Sequence, residues 1–146
     1  MRTLLLIPML VLTISGCSME CTLIDAPSYL SIDLNPPVSD AGTWDVALEG
    51  DLTAACTLVL PLVAPEDVSC DSDNMNLELT DGYDAIEGIL LYNESPDALT
   101  VSLTLDGTLV SSQDLAPVYE VDEPNGKGCG ERRSATVEID PSGATG

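Results

Sequence analysis

The feature that most constrains this chain is a strict alternation of apolar and polar residues in short runs separated by turn-forming clusters. Leu30, Ile32 and Leu34 alternate with Ser31 and Asp33, and Trp44, Val46 and Leu48 share a phase opposite to Asp45 and Glu49. A period of two puts every second side chain on one face of an extended strand. Such runs suit half-buried sheets and scatter their apolar residues around a helix.

The pattern recurs along the chain. Tyr29–Leu34 is the first strand, closed by Asn35-Pro36-Pro37, since proline offers a ladder no donor. Thr43–Glu49 and Leu52–Leu60 form a hairpin through Gly50-Asp51, and Pro61–Asp67 is a loop. Met75, Leu77 and Leu79 alternate with Asn76, Glu78 and Thr80. The more continuous apolar run Ile86–Tyr92 reads as a strand buried on both faces. Leu99–Leu105 and Leu109–Leu115 flank Asp106-Gly107, the strongest hairpin signal in the chain. Pro117–Val121 extends that second strand past a kink, and Ala135, Val137 and Ile139 mark the last strand. About eight short strands with turns every 8–12 residues imply an all-β fold, an antiparallel β-sandwich of immunoglobulin-like or related Greek-key topology. A small barrel is the alternative. The sandwich domain spans residues 29–140, with a flexible tail at 141–146.

Before that domain lies a different kind of sequence. Arg2 supplies a positive charge, and Leu4–Ile14 is apolar apart from Pro8 and Thr13. Crossing a bilayer takes about 20 apolar residues, so this run is too short to span and reads as an export signal covering residues 1–16. It ends in Ile14-Ser15-Gly16-Cys17, which resembles the lipobox of bacterial lipoproteins: an aliphatic residue, two small ones, then cysteine. That resemblance implies that Cys17 becomes the first residue of the mature protein, acylated on sulfur and amine, with residues 17–28 as a lipidated N-terminus and tether. Lasting anchorage takes more than one acyl chain, at roughly 0.8 kcal/mol per buried CH2. By the same resemblance Ser18, where an Asp would signal inner-membrane retention, points to the outer membrane.

The chain has 146 residues, 25 of them acidic and four basic, for a net charge of −21. Beyond Arg2 the cations are Lys127, Arg132 and Arg133. So acidic a surface repels phosphate, which excludes nucleic acid as a partner. It acts either as a solvated, aggregation-resistant surface or as a face for Ca2+ or a basic partner.

Cysteines number five: Cys17, Cys21, Cys56, Cys70 and Cys129. An odd thiol in an exported protein needs an explanation. Either Cys17 is an ordinary disulfide cysteine, or it is lipidated and leaves four, which allow three pairings. Cys56 is in phase with inward Leu58 and Leu60, and Cys70 follows one loop later. A Cys56–Cys70 bridge would close a loop of about 15 residues, worth roughly 3 kcal/mol, and Cys21–Cys129 a loop of more than 100, worth roughly 4.7 kcal/mol. With no CxxC pair and no histidine, a zinc site is a poor alternative.

Gly42-Thr43-Trp44-Asp45-Val46, Cys56-Thr57-Leu58-Val59-Leu60-Pro61, Cys70, Pro117-Val118-Tyr119 and Pro124-Asn125-Gly126 before Cys129 resemble a group of uncharacterised bacterial exported lipoproteins. That group shares "G-T-Y-x-V", "C-x-V-x-L-P", "P-x-Y" and "P-N-G-x-x-C" ahead of a final strand. Its members often carry two more cysteines, near Ala26 and near Arg132 or Arg133 here. Their joint absence implies, by the resemblance, that Cys21 pairs with Cys129. The group has no assigned activity.

Chemistry-bearing motifs are scarce. Without histidine the commonest general base and metal ligand is missing, and no G-x-S-x-G elbow, Ser-x-x-Lys or phosphate loop occurs. Asp71-Ser72-Asp73-Asn74 begins like a Ca2+ loop but continues with Met75 and Asn76 where such a loop needs Asp or Asn and then Gly. Trp44 has the phase of a core residue rather than of a sugar-stacking platform. The cations at 127–133 either neutralise nearby acids or grip a partner. The expected function is therefore a non-catalytic interaction or structural module of the cell envelope, tied to a membrane by lipid, without a cofactor and with an unknown protein or envelope partner. The alternative is a ligand-binding module taking Ca2+ or an oligosaccharide on the acidic loops at Asp71–Asp84.

Overall fold

The computed structural model describes residues 21–143. The export signal at 1–16, the lipidation site Cys17 and the last three residues of the tail lie outside the described residues.

Among the described residues ten strands form two five-stranded sheets. They are β1 (Tyr29–Val38), β2 (Gly42–Gly50), β3 (Ala54–Leu60), β4 (Ser69–Cys70), β5 (Met75–Leu79), β6 (Ile86–Tyr92), β7 (Leu99–Leu105), β8 (Thr108–Leu115), β9 (Glu120–Asp122) and β10 (Arg132–Ile139). One sheet has the order β5-β6-β1-β10-β9 and the other β4-β3-β2-β7-β8. Strands β2, β3 and β4 run as a meander. After two strands in the opposite sheet, β7 returns beside β2, which is the Greek-key order. The fold is an all-β sandwich, with antiparallel pairing everywhere except between β1 and β10, which run parallel.

The alternating residues meet between the sheets. Leu30, Ile32, Trp44, Val46, Leu48, Leu58, Ile89, Leu91, Val101 and Leu103 are each at most 1 % exposed. Trp44 belongs to this core and donates its indole N–H to the Asp40 carbonyl at 2.8 Å. At Asp106-Gly107 both residues have positive φ, 49° and 77°, as a two-residue type I′ hairpin requires.

Several local expectations are corrected. Strand β1 does not stop at Asn35. A bulge holds Pro36 and Pro37 exposed, and Val38 resumes pairing with Ile86; within the bulge the prolines have no ladder bond to give. Strand β3 begins at Ala54 rather than Leu52, which packs against the core from the turn. Strand β6 is not buried on both faces: Leu90 is half-buried and Tyr92 is 41 % exposed, because among the described residues no second layer covers that side of the sheet. Nor does Pro117–Val121 extend β8. The chain leaves the sheet after Leu115, and β9 pairs with β10 in the other one. Strands β4 and β9, two and three residues long, are too short to show periodicity. In the tail, Pro141 is buried and Ser142 bonds back to the Asp140 carboxylate.

Candidate functional site

At the end of the sandwich where β1 and β10 begin, the leading segment Cys21–Ser28 joins no sheet. It is fastened to the β9–β10 loop at two points. Cys21 is disulfide-bonded to Cys129, with their Cα atoms 5.6 Å apart. Asn125 Oδ1 accepts from the Ile24 N–H at 2.7 Å, its Nδ2 donates to the Ile24 carbonyl at 3.2 Å, and its own carbonyl accepts from the Thr22 N–H at 3.1 Å. One asparagine thus replaces a strand partner. In the sequence Asn125 stands out only as part of Pro124-Asn125-Gly126 ahead of Cys129.

The second bridge joins Cys56 and Cys70, opposite each other on β3 and β4 with Cα atoms 4.0 Å apart. Cys56 is buried in the core. Two disulfides belong to an oxidising compartment rather than to a reducing cytosol.

Neighbouring arginines on β10 pair with acids on different elements. Arg132 forms a two-pronged pair with the Asp122 carboxylate across the β9–β10 ladder. Arg133 reaches the β6–β7 loop, bonding Asp97 Oδ1 at 2.8 Å and the Ser95 carbonyl at 3.3 Å, with its guanidinium 4.4 Å from the Tyr119 ring centre. Tyr119 in turn donates its hydroxyl to the Pro96 carbonyl at 2.9 Å. The Asp97 hydrogen bond holds the Arg133 guanidinium above its ordinary pKa, and the Asp122 bond does the same for Arg132. Burial raises the Tyr119 phenol, the Arg133 charge opposing it and that of Asp97 reinforcing it. The cluster at 127–133 therefore divides. Its arginines neutralise Asp122 and Asp97, while Lys127 is exposed with no ion pair among the described residues.

The acidic stretch Asp71–Asp84 is split by β5. Asp71–Asn74 lies at the Cys21 end and Asp81–Asp84 at the opposite end, a strand of five residues apart, or about 17 Å at 3.4 Å per residue. Two of its carboxylates, those of Asp71 and Asp84, hold loops. Asp71 Oδ1 accepts from the Ala55 N–H at 2.7 Å, and Asp84 Oδ1 accepts from the Thr80 hydroxyl at 2.6 Å. Among the described residues no three acidic or cysteine side chains converge as metal ligands. No helix among them is long and apolar enough to cross a membrane.

Comparison with family models, with curated proteins and with solved structures finds no match to this chain.

Proposed function

We propose that this is a lipid-anchored extracytoplasmic lipoprotein, a non-catalytic interaction or structural module held by Cys17 in the bacterial cell envelope, at the outer membrane. The observation that carries the reading is cysteine parity. The two bridges consume Cys21, Cys56, Cys70 and Cys129, which leaves Cys17 alone behind the apolar run and the small residues Ser15 and Gly16. The use of charge supports the non-catalytic part. Asp51 caps Asp97 and Ala98, Asp71 caps Ala55, Asp106 caps Thr43, and Arg133 ties β10 to the β6–β7 loop. These side chains build loops rather than converge on a reactive centre.

The test is fractionation with Cys17→Ala. The parent chain incorporates labelled palmitate and sediments with membranes, and the variant does neither while keeping both disulfides. A variant that remained membrane-bound and labelled would refute the anchor.

A further inference from the structure

Among the exposed apolar side chains, Leu23 is 99 % exposed and Ile24 56 %. Both sit within three residues of Cys21, on a segment that Cys129 and Asn125 hold rigidly. Ile24, Tyr29, Leu90, Tyr92 and Pro124, with the charged Asp25 and Arg132 among them, line a groove of about 500 Å3. Exposed Lys127 lies on the same β9–β10 loop as Asn125. Aliphatic tips, two tyrosines with an apolar body and a polar end, and an exposed lysine are the side chains that sit well in the headgroup layer of a bilayer.

The length of the tether decides what this end meets. From Cys17 to Cys21 the chain spans at most about 14 Å when fully extended. A headgroup layer is roughly 5–8 Å deep, so a domain nailed down at Cys21 cannot drift far from the lipids that hold Cys17. The end bearing Leu23 is the end that arrives first. We infer that Leu23 and Ile24, backed by Tyr92 and Lys127, form a membrane-contacting surface that seats this end of the sandwich in the phospholipid interface. The inference rests on acylation of Cys17. Acidic Asp81–Asp84, at the opposite end of the sandwich beyond β5, then lies outside the screening length of about 8 Å over which anionic headgroups repel it at physiological salt, and the domain stands upright.

Val63 supplies the control, being 92 % exposed and located past the end of β3, at the opposite end of the sandwich. Full-length acylated protein carrying Leu23→Trp or Val63→Trp is reconstituted into vesicles of phosphatidylethanolamine and phosphatidylglycerol with brominated acyl chains. Buried Trp44, common to both variants and the parent, gives the baseline. The expected result is a blue shift and bromine quenching for L23W and neither for V63W. Absence of quenching in both, with the protein still floating with the vesicles, overturns the membrane-contacting surface and leaves the anchor standing. Equal quenching of both also overturns it, since neither end would then be preferred. A chain that carries no acyl group and does not float brings down the anchor and this surface together.

Discussion

The side-chain amide of Asn125 pairs with the backbone of Ile24 as a neighbouring strand would, accepting from its N–H at 2.7 Å and donating to its carbonyl at 3.2 Å. Together with the Cys21–Cys129 bridge, this makes a segment outside both sheets part of the folded domain. Each such hydrogen bond contributes about 1 kcal/mol net. Asn125→Ala is expected to lower stability by about 1–2 kcal/mol and to expose residues 22–28 to proteolysis. Asn125→Asp, which keeps the acceptor and loses the donor, should fall between variant and parent in a limited-proteolysis time course.

The two disulfides close loops of very different size, with sequence separations of 108 and 14. Loop entropy alone gives roughly 4.7 and 3 kcal/mol. Paired Cys→Ser replacement at 21 and 129 should therefore destabilise by roughly 4 kcal/mol in denaturant titration. At 56 and 70 the loss should exceed its loop value, because a serine at buried position 56 puts a hydroxyl in the core.

Gly42 and Gly107 separate backbone strain from crowding. Both have positive φ, but a Cβ at Gly42 would lie 2.6 Å from Leu105 Cδ1 and 2.8 Å from Asp106 Oδ2, while one at Gly107 meets nothing within 4 Å. Gly107→Ala is expected to cost about 1 kcal/mol in thermal melts, and Gly42→Ala clearly more.

Tyr119 contributes a pH-dependent share of stability on the alkaline side. Its phenol is raised above the ordinary 10.0 by burial, so on raising the pH the unfolded chain loses this proton before the folded one does. The stabilisation is complete below pH about 10 and disappears as the pH climbs through the folded value. Denaturant melts across this range should show parent stability falling more steeply than that of Tyr119→Phe, and parallel slopes would refute the assignment.

What the sequence made legible, and what it did not, divides along physical lines. Alternation placed Leu30, Ile32, Trp44, Val46 and Leu48 in the core, and Asp106-Gly107 marked its hairpin, because burial and positive φ are written in single residues and their neighbours. The strands β4 and β9 and the passage of the chain after Leu115 into the other sheet were not legible. They depend on pairing partners far along the chain, Thr57 with Ser69 and Arg133 with Val121. The parallel pairing of β1 with β10 and the clamp of Asn125 on Ile24 join residues about a hundred positions apart. The acidic stretch at Asp71–Asp84 read as one surface because sequence proximity hides the strand that separates its two ends.

The most direct test of the account is the intact mass of the protein taken from membranes, before and after treatment with a thiol-alkylating reagent without reduction. The account predicts a chain beginning at Cys17, heavier than its sequence by the mass of its acyl groups and unchanged by the reagent. A chain that retained its leader with Cys17 unmodified, or that gained alkyl groups at the other four cysteines, would contradict it.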